Sequence, residues 1–230
     1  VFSQTKALIA AVMWQLIAEG SVSIDDTIAH HVPEFAANDK GAITVEQVMT
    51  HTSGFPRAPL GPPDWADRHQ RIERMAAWRC NWAPGTRFEY HPTSAHWVLA
   101  EVIERVDGKD YRAAVRERVI GPLGLRRLAL GVAAEDQGDI ADPGILERIF
   151  SEHPDIQATI HCAALIVVPE SVEKPYEYYR ENVAKSLELF HNLNRLGHKK
   201  VVFSSSASIY DVVPGFVVDE QAPLAPTSPY

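Results

Sequence analysis

Apolar residues near the start of the chain recur at the spacing of one helix face. This stripe consists of Leu8, Ile9, Val12, Met13, Leu16 and Ile17. It predicts a helix from about Gln4 to Glu19, with Ser3 as a possible cap and Gly20 as its stop signal. The pattern is typical of an amphipathic helix that packs on a core.

Shorter helices and turns follow in the first part of the chain. Thr44 is expected to cap a helix over 45–49, and apolar stripes predict helices over 94–106 and 111–119. The stretch 55–67 is rich in proline and glycine, which predicts a surface loop, and Pro84-Gly85 predicts a turn.

From Gly138 the pattern changes to alternating helices and strands. Helices are predicted over 145–151 and 176–196, and short buried strands over 158–164 and 201–203. A strand, a helix and a second strand at this spacing indicate a parallel sheet covered by helices. Ligands of such sheets bind at the carboxyl ends of the strands.

These patterns predict a mixed α/β chain with two parts, a mainly helical region over 1–137 and a partial Rossmann-type parallel sheet over 138–230. All five tryptophans lie in the first hundred residues. Ordinary local variation would also explain this uneven composition, so composition alone does not divide the chain.

Composition and charge exclude several classes of function. The 230 residues carry a formal charge of −8, which argues against nucleic-acid binding. Cys80 and Cys162 form no disulfide framework and have no metal-ligand spacing, so the sequence predicts no metal site and a cytoplasmic setting by default. No apolar run is long enough to span a bilayer. The chain starts at Val1, so we expect its true start upstream, where a signal peptide remains an open alternative.

Ser3 and Lys6 have the spacing of neighbours on one helix face. A serine hydroxyl becomes nucleophilic when a nearby base takes its proton, and a lysine of lowered pKa can serve as that base. The spacing alone is equally compatible with a helix cap beside a solvated lysine.

The surrounding motifs occur in a fixed order. They are Phe2-Ser3-Gln4-Thr5-Lys6, Thr50-His51-Thr52-Ser53-Gly54, Pro84-Gly85-Thr86-Arg87-Phe88-Glu89-Tyr90 and Gly121-Pro122-Leu123-Gly124-Leu125. Residues 1–137 thereby resemble the serine beta-lactamase-like family of class C beta-lactamases, penicillin-binding proteins and family VIII esterases.

The resemblance implies that Ser3 is the acylated nucleophile, Lys6 its general base and Tyr90 a second proton-transfer residue. It implies an ester, amide or beta-lactam substrate, and a structural rather than catalytic role for His51. Two departures reduce the expected activity. Pro92 stands where the family has a polar residue, and the later Lys-Thr-Gly-like strand is absent.

The second predicted strand runs into Ser204-Ser205-Ser206, which alone could be a strand-to-loop transition without chemistry. This part of the chain also contains a series of motifs in a fixed order: Gly138-Asp139-Ile140, His161-Cys162-Ala163-Ala164-Leu165, Glu170-Ser171-Val172-Glu173-Lys174-Pro175, residues 178–183, residues 203–210 and Pro226-Thr227-Ser228-Pro229-Tyr230. Residues 138–230 thereby resemble the UDP-glucose 4-epimerases, which are extended short-chain dehydrogenases/reductases.

This second resemblance implies NAD as cofactor and a UDP-sugar as substrate. Ser206 would bond the sugar hydroxyl, and Tyr230 would be the catalytic base. The residues implied in cofactor binding are Asp139, Ile140, Ala163, Ala164 and Asn182. The Gly-x-x-Gly-x-x-Gly turn that receives the pyrophosphate does not occur in the sequence.

The leading hypothesis is therefore a fusion of a truncated serine hydrolase with a truncated nucleotide-sugar epimerase, with little activity in either part. One alternative is a working epimerase-like NAD-binding protein with an unusual N-terminal extension. Another is a non-enzymatic interaction domain.

Overall fold

The computed structural model describes residues 3, 5–125, 128–131, 138–211 and 218–230. The chain forms two compact units, Val1–Val132 and Ala133–Tyr230. The predicted boundary at 137/138 involves Gln137, which lies outside the described residues, as do Phe2 and Gln4 of the first motif.

The described part of the first unit is helical. Its helices are α1 (Thr5–Ala18), α2 (Ile28–His31), α3 (Val45–Met49), α4 (Pro62–Trp65), α5 (Arg68–Ala77), α6 (Ser94–Asp107) and α7 (Tyr111–Val115). A 3-10 turn (Pro33–Ala36) follows α2, and a π-helical turn (Arg116–Ile120) continues α7. The helices predicted over 45–49 and 94–106 are confirmed, and the one over 111–119 continues into the π-helical turn.

The predicted stripe of α1 forms part of the core of this unit. Ile9, Val12, Met13 and Leu16 are buried, and α1 packs against α6. Each such side chain contributes about 1.5–3 kcal/mol relative to an exposed position. Burial of this face therefore stabilises α1, and it fixes the start of the helix relative to α6.

The turn before α3 is closed by a reciprocal cap, as Thr44 predicts. The Thr44 hydroxyl accepts a hydrogen bond from the Gln47 backbone, and the Gln47 side chain accepts one from the Thr44 backbone. This capping box satisfies two amide groups that the first turn of a helix leaves without partners.

The prediction of a surface loop over 55–67 is wrong in part. Phe55 is fully buried, Leu60 is nearly so, and α4 forms within the segment. The ring of Phe55 packs against Phe35 and Trp78. Prolines interrupt regular structure here, but the apolar side chains between them still pack into the core.

Within its described residues, the second unit has two parallel strands together with several helices. Its elements are α8 (Pro143–Glu152), β1 (Thr159–His161), α9 (Val168–Glu173), α10 (Pro175–Tyr178), α11 (Lys185–Arg195), β2 (Val201–Phe203) and a 3-10 turn (Ala207–Ile209). A π-helical turn, Tyr179–Ala184, joins α10 to α11, so the long helix predicted over 176–196 is present with a local widening. β1 pairs with β2 in parallel, which confirms the mixed α/β prediction.

The prediction that both strands are buried is wrong. His161 is buried, but its neighbour Ile160 is 70% exposed and the paired Val202 is 59% exposed. Successive side chains of a strand point to opposite faces. In the part of the chain that the structure describes, α11 covers the face of His161 through Ser186 and Phe190, and the other face is open to solvent.

Candidate functional site

The three residues implied in acyl transfer lie together at the start of α1. The Ser3 hydroxyl oxygen is 2.9 Å from the phenolic oxygen of Tyr90, and the Lys6 ammonium donates to the Ser3 hydroxyl at 3.4 Å. The Lys6 nitrogen also lies 5.3 Å from the centre of the Tyr90 ring. The arrangement brings within hydrogen-bonding reach the hydroxyl, the amine and the phenol that the first resemblance implies for acyl transfer.

The electrostatics of the group favour ionisation of Tyr90. Burial by itself raises the pKa of Tyr90, but hydrogen bonds from Ser3 and Lys6 and the positive charge of Lys6 outweigh it. The net pKa of Tyr90 therefore lies below its usual value. A phenol with a lowered pKa exchanges protons more readily near neutral pH.

His51 supports the segment that carries Tyr90. The His51 carbonyl accepts from the Glu89 amide at 3.2 Å, and its Nδ1 accepts from the His91 amide at 3.3 Å. Its backbone is left-handed, with φ of 60°. These contacts agree with the structural role implied for His51.

Glycine is required at position 54, which ends the turn that begins at His51. Its φ is 88°, and a Cβ atom at this position would lie 2.6 Å from the Trp82 carbonyl oxygen. Any side chain here would displace the backbone of a neighbouring segment.

His91 is a supporting residue that the sequence did not reveal. It is fully buried, and its Nε2 accepts from the Phe55 amide at 3.1 Å and lies 3.2 Å from the Ser53 hydroxyl. Its Nδ1 lies 2.6 Å from the Glu89 carbonyl oxygen, which can only accept, so the proton is on Nδ1. Burial lowers the pKa of His91, which keeps the ring neutral. The ring therefore ties the Tyr90 segment to the turn after His51.

A cleft of about 400 Å³ opens beside Lys6. Trp65, Trp97 and Tyr111 form much of its wall, with Lys6 and His96 at one side. Burial, followed by the charges of Lys6 and His51, lowers the pKa of His96 to about 3. Among the described residues, no group bonds to the buried Nδ1 of His96. Apart from Lys6 and Arg112 the wall is mainly apolar, which suits the apolar part of a substrate.

The second unit brings four of the five predicted cofactor residues together. Asp139, Ile140, Ala163 and Ala164 line a cavity of about 210 Å³. Ala163 and Ala164 follow the carboxyl end of β1, as expected for a ligand site of a parallel sheet. The sequence did not indicate Glu181 and Lys185, which also line the cavity.

Lys185 joins the two carboxylates of this cavity. Its ammonium lies 2.6 Å from an oxygen of Asp139 and 2.6 Å from one of Glu181. The hydrogen bond from Lys185, followed by one from the Ala141 amide, lowers the pKa of Asp139. With both acids ionised, two negative charges face one positive charge.

The other predicted residues of the second unit lie elsewhere. Asn182 bonds the Leu165 amide at 2.8 Å and the Leu165 carbonyl at 2.9 Å, so its side chain holds the loop after β1. Ser206 caps a 3-10 turn by accepting from the Ser208 amide. Tyr230 is half-buried, and no hydrogen bond between described residues joins it to Ser206.

Comparison with known families accounts for both groups of residues. Residues 1–142 match the family described as Beta-lactamase, and residues 101–230 match the NAD dependent epimerase/dehydratase family. The chain belongs to both families. The beta-lactamase segment contains Ser3, Lys6 and Tyr90, and the epimerase segment contains every residue predicted for the second site.

Curated relatives of the epimerase segment are UDP-glucose 4-epimerases. The chain is 45% identical to that of Azospirillum brasilense over 94 residues, 41% of this chain and 27% of the relative. It is 38% identical to that of Streptococcus mutans serotype c over 139 residues, 59% of this chain and 40% of the relative. The chain thus spans well under half the length of these relatives.

Several solved structures are similar to the beta-lactamase segment. A penicillin-binding protein homolog from Caulobacter crescentus is 33% identical, with a TM-score of 0.53, over 59% of this chain and 37% of that chain. A family VIII carboxylesterase is 31% identical, with a TM-score of 0.54, over 59% of this chain and 38% of that chain.

Of the helices within the described residues, none has both the length and the apolar character needed to cross a membrane.

Proposed function

We propose that the chain is a fusion of an acyl-serine hydrolase segment, residues 1–137, with an epimerase-like segment, residues 138–230, and that neither turns over substrate at a substantial rate. The observation that carries the hydrolase part is the contact of the Ser3 hydroxyl with both Lys6 and Tyr90.

In the proposed reaction Lys6, in its uncharged amine form, removes the proton of the Ser3 hydroxyl while the serine oxygen attacks the carbonyl carbon of an ester, amide or beta-lactam. The bond to the leaving group then breaks, Tyr90 delivers its proton to that group, and the protonated Lys6 returns a proton to Tyr90. Water releases the acyl group from Ser3 in a second step. The aromatic cleft beside Lys6 favours substrates with an apolar acyl chain.

Slow turnover follows from the surroundings of the three residues. Ser3 is exposed, and Tyr90 is 44% exposed. Electrostatic stabilisation of a transition state weakens where water screens the charges. Pro92, which lacks an amide donor, also lies beside the cleft.

Hydrolysis of p-nitrophenyl butyrate by the full chain tests this proposal. We expect a turnover below about 1 s⁻¹, the lower end of typical enzyme rates, that disappears in Ser3→Ala. Ser21→Ala, at an exposed serine outside the site, is the matched control and should keep the wild-type rate. A Ser3→Ala rate equal to wild type would overturn the hydrolase assignment. A turnover of tens per second that requires Ser3 would overturn the claim of low activity.

NAD fits the second site only in part. Sites for drug-sized ligands have volumes of about 300–1,000 Å³, and this cavity has about 210 Å³. It has room for one ring system, and Asp139 and Ile140 would lie beside the adenine. Asp139, Glu181 and Lys185 together carry a net negative charge, which disfavours the pyrophosphate. We therefore propose weak binding of the adenosine end and no hydride transfer.

A working NAD-binding module is the second candidate. Four of the residues that the epimerase resemblance implied in cofactor binding line one cavity, and this supports the second candidate. Two of the four precede β1 in the sequence and two follow it. Retention of NAD through purification would favour this candidate, and absence of binding at millimolar NAD would exclude it.

A further inference from the structure

Three side chains able to ligate a metal meet where the chain enters α2. Asp26 Oδ2 lies 3.0 Å from His31 Nε2, and the rings of His30 and His31 meet edge to face with centres 4.8 Å apart. One ligating atom from each of Asp26, His30 and His31 lies within 4.8 Å of the other two.

The backbone that presents these side chains is held from several directions. The Asp26 carbonyl accepts from the Val45 amide at 2.9 Å, and the Ile28 amide donates to the Ile43 carbonyl at 2.8 Å. Thr27 caps α2 by accepting from the His30 amide, and Ile28 is fully buried. A site built on such anchored backbone loses little conformational freedom when it binds an ion.

We propose that Asp26, His30 and His31 bind a divalent transition-metal ion, with Zn²⁺ as the best fit. Two imidazoles and one carboxylate form a donor set that Zn²⁺ accepts, with bonds of about 2.0–2.2 Å to each ligand. Those bond lengths put neighbouring ligand atoms of a tetrahedral site about 3.4 Å apart. The present separation between Asp26 and His31 is 3.0 Å, and none of the three separations exceeds 4.8 Å.

The surroundings suit an ion that keeps a water ligand. Both hydrogen bonds to Asp26, from the Ser23 amide at 2.8 Å and from His31, go to Oδ2, so Oδ1 can face the ion. His30 is exposed and Asp26 is 29% exposed, which gives an ion access from solvent. The sequence signal of this site is Asp-x-x-x-His-His, which contains no cysteine and therefore does not appear in the cysteine spacing.

The experiment is a Zn²⁺ titration of the untagged full chain, followed by calorimetry and by competition with a chromophoric chelator. We expect one strong site per chain and at least about tenfold weaker binding in His30→Gln, since even residues behind the ligands change metal affinity by about 10–100-fold. His31→Gln and Asp26→Asn should weaken binding to a similar degree. Co²⁺ should give visible absorption that His30→Gln reduces.

His69→Gln is the matched control. His69 Nε2 lies 3.4 Å from Glu73 Oε1, so this pair resembles His31 and Asp26, but among the described residues no third ligand joins it. The His69→Gln variant should leave the Zn²⁺ affinity unchanged. Equal affinities of wild type and His30→Gln, or no binding at millimolar Zn²⁺, would overturn the proposal. Because His30 is exposed, its replacement tests the site without disturbing the core, and unchanged tryptophan fluorescence checks this.

Discussion

The hydroxyl oxygen of Ser3 lies 2.9 Å from the phenolic oxygen of Tyr90, although 87 positions separate the two residues in sequence. Ser3 lies just before α1, and Tyr90 lies on the segment that His91 attaches to the His51 turn. The contact therefore depends on the packing of the whole first unit.

Removing the phenol oxygen tests what this contact does. Tyr90→Phe keeps the ring beside Lys6 but removes the proton carrier, so we expect the Ser3-dependent acylation rate to fall about 100-fold or more. The rate is measured by release of p-nitrophenol in a single turnover. Phe88→Leu, at a 68% exposed aromatic residue on the same segment, is the control and should stay near the wild-type rate. A Tyr90→Phe rate within twofold of wild type would remove Tyr90 from the mechanism.

Replacing His91 should destabilise the first unit. His91→Phe fills a similar volume but leaves the Phe55 amide and the Ser53 hydroxyl without their buried acceptor, at about 1–3 kcal/mol for each group. Urea unfolding followed by tryptophan fluorescence measures the effect, because all five tryptophans lie in this unit. His69→Phe, at a 78% exposed side chain, should change stability by less than about 0.5 kcal/mol. Equal losses in both variants would show that His91 has no special supporting role.

Mild acid should destabilise the first unit through its buried histidines. Burial lowers the pKa of His96 to about 3 from 6.5, so below pH 6.5 the unfolded chain binds a proton that the folded chain does not. Stability is therefore complete above pH 6.5 and falls as the pH drops, by up to about 1.4 kcal/mol per unit for this group. Burial lowers the pKa of His51 and His91 as well, which adds to the same trend.

His96→Leu should reduce this loss between pH 7 and pH 5. The free energy of unfolding at the two pH values, measured by urea titration, gives the comparison. The carboxylates Asp26 and Glu34, whose ordinary pKa values are 3.8 and 4.5, have lowered pKa values in the folded chain and contribute mainly below pH 5. A pH dependence identical in wild type and His96→Leu would contradict the assignment to His96.

A buried ion pair links α5 to α6. Arg71 Nη2 donates to the Glu104 carboxylate at 3.2 Å, and the side chains are 5% and 3% exposed. Arg71→Met should destabilise the unit by about 1.5–3 kcal/mol, because it removes one of the two arginines that pair with Glu104, while Arg68 stays 2.7 Å from the other carboxylate oxygen. Burial already raises the pKa of Glu104, so the variant should recover some stability as Glu104 takes up a proton in acid.

The double variant Arg71→Met with Glu104→Leu separates pairing from packing. We expect it to be more stable than Arg71→Met alone, since it also removes the buried carboxylate that has lost one of its two cations, while Arg68 keeps its pairing with Glu101. The exposed pair Arg87 and Glu89 is the control, and Arg87→Met should cost less than about 1 kcal/mol. Additive effects of the two buried substitutions would contradict the proposed coupling.

The cavity of the second unit should bind adenosine about as tightly as NAD. Asp139, Glu181 and Lys185 give it no net positive charge for a pyrophosphate, so the rest of the dinucleotide adds little affinity. Saturation-transfer NMR at millimolar ligand measures the affinity for adenosine and the affinity for NAD. Lys185→Gln removes the cation beside Asp139 and should weaken NAD further, whereas Lys199→Gln, outside the cavity, should not. An affinity for NAD a hundredfold above that for adenosine would indicate a pyrophosphate site.

Local patterns predicted most elements of this protein. The apolar stripe from Leu8 to Ile17, the Thr44 cap and the strand over 201–203 were all visible because spacing and capping act within a few residues. The order of the motifs also indicated both families before any contact was known.

Only the tertiary structure decided which residues meet. Ser3 reaches Tyr90, the neutral ring of His91 holds the turn behind them, and Lys185 joins Asp139 to Glu181. It also decided that Ile160 and Val202 are exposed, which an apolar run cannot reveal. Sequence spacing fixes the face of an element on which a side chain lies. What covers that face depends on packing between distant segments, and no local pattern encodes that packing.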